Sequence, residues 1–332
     1  MRNGKRMKQN KYRLIAWCVC VWMGMSGYAQ DPLPRKAKAD THSTPVYVSK
    51  EIKQLLKLLT VESPMPDSFK GVQENEIFDP TFSLAPFLEK LCKLEKPVRI
   101  VHIGDSHVRG HVFPYIVRSY LEEDFGRYAV EPIPLTYQTS GIAKETGNVG
   151  VVYHVIGVNG ATCGTYATEE RMREVTSLQP DLVILSFGTN EAHGRRYAQT
   201  LHTVEMKHLI DKIKSECPNV TFLLTTPPGA YVRNGRRGRV INPRTSLVVD
   251  TELKFAEENQ LAVWDMYHVA GGSQYACRNW TAAHLFQRDK IHFTREGYIL
   301  QGLLLHEALI KEYNKYVGNR LEETDRYIDV RS

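Results

Sequence analysis

The 332-residue sequence has no apolar run long enough to cross a membrane. Its most apolar segment, LIAWCVCVWMGM at 14–25, has twelve residues, whereas a transmembrane helix needs about 20. A basic stretch precedes this segment, and Gly27 and Ala29 follow it at the −3 and −1 positions of a signal-peptidase site. We therefore interpret residues 1–29 as a cleaved signal peptide, which predicts export to the periplasm or cell envelope and no stable membrane insertion afterwards. An uncleaved membrane anchor is the alternative.

The sequence also lacks an excess of either charge beyond its first 30 residues. The formal charge is +6, but those 30 residues hold six basic residues and no acid, and the remainder has 37 basic and 37 acidic residues. A chain without net positive charge gives no support for nucleic-acid binding. The apolar content of 42% and the charged content of 24% are those of an ordinary globular protein, and the length suits one large domain or two small ones.

Metal-binding and redox motifs are missing as well, since there is no CxxC and no cysteine spacing typical of zinc. Four cysteines follow residue 30, namely Cys92, Cys163, Cys217 and Cys277. They allow three disulfide pairings, with buried free thiols as the alternative, and the pattern does not choose between them. His107 and His111 have the spacing of a metal pair on one helix face, but no third ligand has a suitable position. We predict no metal and no cofactor.

Three segments flank the region that carries the strand pattern. Residues 30–47 are rich in proline, lysine and threonine without apolar periodicity, which predicts a flexible linker. Residues 48–94 are predicted to form a helical extension, with one amphipathic helix at 49–59 and a second within 83–95. Residues 319–332 are interpreted as a C-terminal tail.

Residues 95–318 alternate between short apolar runs and helix-like segments, which indicates an α/β domain. Five runs are predicted to be strands, at 98–103, 151–158, 182–187, 220–225 and 261–264. Helix-like segments are found at 108–124, 166–178, 197–216, 245–259 and 295–316. The runs are almost continuously apolar, as expected for strands covered on both faces, and the alternation predicts a mostly parallel five-stranded sheet with right-handed crossovers. Ligands should bind at the carboxyl ends of these strands.

The first predicted strand is followed by Gly104-Asp105-Ser106-His107. Gly104 permits a sharp turn, and Ser106 is expected to start the next helix, where free N–H groups favour negative charge. Ser106 is therefore a candidate nucleophile. A helix N-cap or a turn residue is the alternative, because serine is common at both.

Two further loops carry candidate donors for an oxyanion. The second strand leads into GVNGATCGTY (157–166), where Gly164 can point its N–H into a site, with a plain glycine turn as the alternative. The third strand leads into FGTNEAHG (187–194), where the side-chain amide of Asn190 can donate to the same oxygen, with a helix cap as the alternative. Preorganised donors of this kind stabilise the oxyanion of acyl transfer.

An acid and a base follow near the C-terminus, in RDKIHFTREGY (288–298). Asp289 precedes His292 by three residues, so that one turn can present a carboxylate to one imidazole nitrogen while the other nitrogen faces a nucleophile. A surface loop is the alternative for this pair alone. Together, the nucleophile, the two donors and the acid–base pair supply what acyl transfer requires.

In these residues the chain resembles the SGNH (GDSL-like) hydrolase family over about residues 95–318. The signature residues and the third member of the triad would be Ser106, Gly164, Asn190, His292 and Asp289. The resemblance implies a flavodoxin-like three-layer α/β/α sandwich and ester hydrolysis without a metal. It also implies an oxyanion hole in which the Ser106 N–H joins Gly164 and Asn190.

The finer pattern is similar to the peptidoglycan O-acetylesterase branch of this family. The segments that carry the similarity are IVHIGDSH, LLTTPPGAY, AVWDMYHVAGG, Trp280 and DKIHFTREGYILQG. The similarity implies hydrolysis of O-acetyl esters on a carbohydrate. Members of the branch can carry an inserted carbohydrate-binding β-domain between the serine and the glycine, whereas only 58 residues separate Ser106 from Gly164 here. We interpret the loop 125–150 as its remnant.

Candidate substrate contacts are Tyr231, Trp280 and His107. The rings of Tyr231, Tyr267 and Trp280 can stack on sugars, with core or edge packing as the alternative. The arginine-rich segment YVRNGRRGRV (231–240) is either a solvated loop or a basic rim for an anionic polymer. The sequence thus predicts an exported serine esterase that acts on an acetylated glycan. A lipid acyl hydrolase, a glycan O-acetyltransferase and an inactive glycan-binding module are the alternatives.

Overall fold

The computed structural model describes residues 58–132, 136, 140–235 and 238–329. The predicted signal peptide and linker lie outside this part of the chain, as does all but the end of the helix predicted at 49–59. The described residues from 58 onward belong to one compact unit, so the later part of the predicted extension packs with the α/β region. Within the described ranges, no helix has both the length and the apolar character that a membrane crossing requires.

Eight strands form two sheets in the described part of the chain. They are β1 Ile77–Phe78, β2 Pro97–Gly104, β3 Gly150–Gly157, β4 Leu182–Ser186, β5 Thr221–Thr225, β6 Tyr231–Arg233, β7 Arg239–Ile241 and β8 Ala262–Trp264. Six of them form one sheet in the order β1-β8-β5-β4-β2-β3, and β6 and β7 form a separate hairpin. The five predicted strands correspond to β2, β3, β4, β5 and β8, which are parallel to one another and follow the flavodoxin-like order.

The predicted number of five strands is wrong by one. β1 pairs antiparallel with β8, with Ile77 opposite Trp264. The indole N–H of Trp264 donates to Asn75 Oδ1 at 2.8 Å, and Asn75 Nδ2 donates to the Leu304 carbonyl at 2.8 Å. These long-range contacts hold β1 at the sheet edge, whereas a two-residue strand carries no apolar run or alternation that a sequence pattern could reveal.

Helices cover both faces of the six-stranded sheet. They are α1 Ala85–Lys93, α2 Ser106–Arg109, α3 Val112–Phe125, α4 Cys163–Tyr166, α5 Glu169–Ser177, α6 Thr189–His193, α7 Gln199–Glu216, α8 Arg244–Glu258, α9 Met266–Val269, α10 Gly272–Ala282 and α11 Arg295–Asp329. α1 confirms the helix predicted within 83–95. α11 continues through most of the predicted tail, because residues 319–329 contain good helix formers and no proline.

Alternate residues of the central strands are buried in opposite layers. Ile100 of β2 and Ile184 of β4 pack in the cluster that includes α3 and α11, whereas Val101 and Val183 pack in the cluster that includes α5 and α7. All four side chains are fully buried. This double coverage explains why the strands are apolar at nearly every position, and the predicted three-layer α/β/α fold is confirmed.

The strand order reverses between β2 and β4, which lie side by side in the sheet although β3 separates them in the chain. From β2 the chain crosses to β3 on one side and then to β4 on the other. The loops after β2 and β4 therefore diverge and leave a crevice at the carboxyl ends of the strands. Ser106 and Asn190 lie in the first turns of the helices that follow these two loops.

Candidate active site

The serine loop, residues 104–107, joins β2 to α2 at this crevice. Gly104 is required by close packing, since a Cβ on it would lie 2.4 Å from the Ser186 carbonyl oxygen. The N-cap of α2 is Asp105, whose carboxylate accepts a backbone N–H of the first turn at 2.8 Å. The alternative role of Ser106 as the helix cap is therefore wrong. Its hydroxyl oxygen instead lies 2.9 Å from His292 Nε2.

The acid–base loop, residues 288–292, presents Asp289 and His292 on one turn. Asp289 Oδ2 lies 2.7 Å from His292 Nδ1, and Oδ1 accepts the backbone N–H groups of Ile291 and His292, both at 2.9 Å. Burial acts to raise the pKa of Asp289, but these hydrogen bonds offset it and hold the pKa below its ordinary value. An ionised Asp289 keeps a proton on Nδ1 and leaves Nε2 to accept the proton of Ser106.

Two backbone N–H groups in the first turns of the helices that follow β2 and β3 have no acceptor among the described residues. They belong to Ser106 at the start of α2 and to Gly164 in α4. The neighbouring donors in α4 are satisfied, because the Cys163 N–H donates to Glu191 at 2.8 Å and the Thr165 N–H donates to the N-cap hydroxyl at 3.2 Å. Unpaired donors at helix starts are what an oxyanion would require.

Asn190, at the end of the asparagine loop (187–190), connects the serine loop to the glycine loop (157–164). Its amide nitrogen donates to the Ala161 carbonyl at 2.9 Å and to Asp105 Oδ2 at 3.1 Å. Both amide hydrogens therefore have acceptors within the protein, and donation to an oxyanion would require one of them to be exchanged or shared. The oxyanion role of Asn190 stays a prediction, whereas its bridging position is visible in the structure.

All five predicted signature residues lie within residues 103–300, which match the sequence profile of the GDSL-like Lipase/Acylhydrolase family. The match covers more than half of the chain. The chain belongs to this family. It is therefore a serine ester hydrolase, and the predicted family and enzyme class are confirmed. No curated protein sequence matches the GDSL hydrolase.

Solved structures of three enzymes are similar to this GDSL hydrolase. A peptidoglycan O-acetylesterase is 18% identical over 72% of this chain and 99% of its own, with a TM-score of 0.59. A lipase/acylhydrolase from Enterococcus faecalis is 24% identical over 65% of this chain and 96% of its own, with a TM-score of 0.45. A catalytic mutant of an acetylxylan esterase from Geobacillus stearothermophilus is 18% identical over 64% and 94%, with a TM-score of 0.42. The first of these supports the three-layer fold.

His107 of the GDSL hydrolase packs against the His292 ring, with the ring centroids 5.4 Å apart. Its Nδ1 lies 3.0 Å from the Tyr298 hydroxyl, while Nε2 is buried without a partner among the described residues. Burial, with a smaller effect of the His292 charge, lowers the pKa of His107 to about 3. This buried, neutral ring argues against the predicted substrate contact and for a role behind His292. His111 contacts Arg109 at 2.7 Å instead, so the two histidines do not form a metal pair.

Asp105 is a site residue that the sequence pattern did not single out. Its side chain is 1% exposed and accepts from the Asn190 amide and from the His107 N–H. Burial raises the pKa of Asp105 to about 8, against the hydrogen bond from His107, and the charge of Glu191 adds to the increase. A pKa raised in this direction favours the protonated carboxyl group near neutral pH. Its position directly before the serine is the one sequence signal that points to it.

Two of the three aromatic residues considered for sugar stacking belong to the core. Trp280 is 0% exposed and Tyr267 is 2% exposed, and Trp280 Nε1 donates to the Pro228 carbonyl at 3.0 Å. The prediction that Trp280 contacts substrate is therefore wrong, because an indole without exposed surface cannot stack on a sugar. Tyr231 is partly exposed, and its N–H donates to the Lys290 carbonyl of the acid–base loop at 2.9 Å.

A buried cluster of Cys163, Glu191 and His202 lies behind the glycine loop. Their ligand atoms are within 4.8 Å of one another, the one arrangement among the described residues that could hold a metal ion. Glu191 already accepts the N–H groups of Cys163 and Gly188 at 2.8 and 2.9 Å, and burial raises the pKa of both Cys163 and Glu191. We interpret Glu191 as a hydrogen-bonded brace between the glycine and asparagine loops. The four cysteines after residue 30 are free thiols.

Proposed function

We propose that this GDSL hydrolase is an exported serine esterase that removes O-acetyl groups from a carbohydrate through an acetyl-serine intermediate. The observation that carries the proposal is a pair of hydrogen-bond contacts through the His292 ring. Ser106 Oγ lies 2.9 Å from His292 Nε2, and Asp289 lies 2.7 Å from His292 Nδ1. The unpaired N–H groups of Ser106 and Gly164 supply hydrogen-bond donors for the oxyanion.

The first half-reaction acylates the serine. His292 Nε2 takes the hydroxyl proton as Ser106 Oγ attacks the acetyl carbonyl carbon, and the carbonyl π electrons move to the oxygen. The N–H groups of Ser106 and Gly164 hold that oxyanion, with Asn190 as a third donor once one of its present bonds is exchanged. Each such donor contributes about 10²–10³ in kcat. The imidazolium then gives its proton to the departing sugar oxygen, which leaves acetyl-serine.

The second half-reaction releases acetate. Water gives a proton to His292 Nε2 and attacks the acetyl-serine carbonyl, and the second oxyanion forms in the same position. Its collapse breaks the bond to Ser106 Oγ, which recovers its proton from His292. Asp289 stays ionised throughout and stabilises the imidazolium, in keeping with the hydrogen bonds that hold its pKa low.

The assignment of an acetylated glycan rests on the openness of the site and on the family branch. The His292 and Asp289 side chains are 35% and 39% exposed, so an ester on a large polymer can reach them. The sequence is similar to the peptidoglycan O-acetylesterase branch, and a peptidoglycan O-acetylesterase shares the fold. Export rests on the signal-like pattern of residues 1–29.

Acetate release from a substrate panel tests the proposal. The panel contains O-acetylated peptidoglycan, acetylated plant and host glycans, and p-nitrophenyl esters of increasing acyl length, each with the wild type and Ser106→Ala. We expect acetate release from acetylated glycans, loss of activity in the variant and declining rates with acyl length. Equal or faster hydrolysis of long acyl esters would favour a lipid acyl hydrolase instead, and acetate release that needs a sugar acceptor would favour a transferase.

A further inference from the structure

The β6–β7 hairpin places two arginines directly opposite each other. Arg233 of β6 pairs with Arg239 of β7 in the ladder, and the turn between them is closed by a hydrogen bond from Asn234 N to Gly238 O at 2.8 Å. Both arginines are exposed. Like charges in opposite positions destabilise a two-stranded ribbon, and neither arginine has an acidic partner among the described residues. The hairpin therefore contains an unfavourable charge pair without a compensating contact. Such uncompensated local conflicts are typical of functional positions.

The first residue of the hairpin, Tyr231, contacts two active-site segments, one through its N–H and one through its carbonyl. The Tyr231 N–H donates to the Lys290 carbonyl in the acid–base loop at 2.9 Å. The Tyr231 carbonyl lies 3.3 Å from His193 Nε2, at the end of the helix that carries Asn190. Arg233 thus lies two residues after Tyr231, which is bonded to the loops that present His292 and Asn190. Arg239 lies opposite Arg233 on the neighbouring strand.

The three segments joined by these contacts are strongly basic, although the chain beyond residue 30 has no net charge. Residues 193–196, 231–244 and 288–295 together hold ten basic residues and one acid, Asp289 of the triad. Nine of the ten are arginines. We define the basic rim as the exposed arginines of these segments that form no ion pair within the described residues. They are Arg195, Arg196, Arg233, Arg239, Arg288 and Arg295.

We propose that the basic rim binds carboxylate groups of the substrate, and that the substrate is therefore an acetylated glycan with repeated negative charges. This inference rests on the proposed function. Guanidinium groups match the two oxygens of a carboxylate in a planar fork, which explains the preference for arginine over lysine. Six charges distributed over three segments suit a chain with a repeated charge better than one small anion. They would also concentrate such a polymer at the serine.

A pair of polymers that differ only in charge tests the substrate class. One is O-acetylated polygalacturonate, and the other is the same polymer after methyl esterification of its carboxylates, with acetate release as the readout and p-nitrophenyl acetate as the reference. We expect kcat/KM on the anionic polymer to exceed that on the neutral one by about tenfold or more at low ionic strength. The preference should shrink as added salt shortens the range of the attraction.

Charge-neutralising variants locate the effect. The pair Arg233→Gln and Arg239→Gln should lower the anionic-to-neutral ratio of kcat/KM about three- to tenfold, since each ion pair at an exposed arginine is weak. The matched control removes two exposed charges away from the rim, Arg173→Gln and Lys254→Gln, and should leave the ratio unchanged. Arg239→Glu should also lower the ratio while keeping or raising the unfolding temperature, because it places opposite charges across the hairpin.

The outcomes separate this inference from the proposed function. A wild type that hydrolyses p-nitrophenyl acetate but shows no preference for the anionic polymer would overturn the rim proposal and leave the esterase intact. Hydrolysis of neither polymer nor p-nitrophenyl acetate would instead overturn the proposed function. Equal inhibition by duplex DNA and by unacetylated polygalacturonate at the same charge concentration would overturn the assignment to a glycan.

Discussion

The wild-type enzyme should lose stability as the pH rises, because Asp105, next to the serine, must give up its proton. Asp105→Asn should remove this loss. Burial raises the pKa of this carboxyl from 3.8 to about 8 in the folded protein. The folded state therefore binds the proton more tightly than the unfolded state. The stabilising contribution is complete below about pH 4 and is lost as the pH rises towards 8. One proton corresponds to about 1.4 kcal/mol per pH unit, hence to about 3 kcal/mol between pH 5 and pH 7.

Urea unfolding of both proteins at pH 5, 6 and 7 measures this difference. Asparagine has no proton to lose, so the free energy of unfolding of Asp105→Asn relative to the wild type should increase by about 3 kcal/mol over that range. The loss of a hydrogen bond to Asn190 would add a constant offset and leave the slope unchanged. Other buried titrating groups, such as His102, act equally in both proteins. Asp67→Asn, at an exposed aspartate, is the matched control.

Parallel pH profiles of the wild type and Asp105→Asn would refute the reasoning, because they would mean that the carboxyl is already ionised in the folded protein at pH 5. The hydrogen bonds from Asn190 and His107 would then be enough to offset the burial of the negative charge. A steeper slope in Asp67→Asn than in Asp105→Asn would contradict it as well.

Replacements elsewhere should separate chemistry from folding. Asp289→Asn should lower kcat on acetyl esters about 10⁴-fold by favouring the wrong His292 tautomer. The urea midpoint should decrease only slightly, because a pKa lowered in the folded state means that the ionised carboxylate stabilises the fold. A variant that is unfolded under the assay conditions would contradict a mainly catalytic role. Trp280→Ala should destabilise the fold by about 3–5 kcal/mol, measured by urea unfolding, and a loss under about 1 kcal/mol would contradict its core position. Tyr298→Phe removes the bond to His107 and should lower kcat about ten- to hundredfold through misplacement of His292, with little change in KM; an unaltered kcat would count against that support.

The sequence predicted the features that depend on local pattern. The central strands were visible because both faces are covered, which makes each run apolar throughout. Asp289 and His292 were visible because three residues of spacing suffice to bring the carboxylate to the ring. Site residues that lie in the loops after parallel strands were expected together because such loops meet at one edge of the sheet.

Features that depend on tertiary contacts were missed. β1 exists only through its pairing with β8 and the bonds of Asn75, neither of which leaves a local signal. Trp280 was predicted to contact a sugar but lies in the core. Aromatic residues serve both roles, and only tertiary packing distinguishes them. The burial of Asp105 and Glu191 could not be predicted, since charged residues are normally exposed and their neutralisation depends on neighbours from distant segments.

The bridging amide of Asn190 has a consequence for the exchange of parts between family members. It ties the serine loop to the glycine loop through Asp105 and Ala161, while Glu191 ties the glycine loop to the asparagine loop. Transplanting one loop from a relative would leave a buried carboxyl or amide without its partner, at a cost of about 1–3 kcal/mol for each. We therefore expect that exchanging the three loops together preserves stability better than exchanging one of them alone.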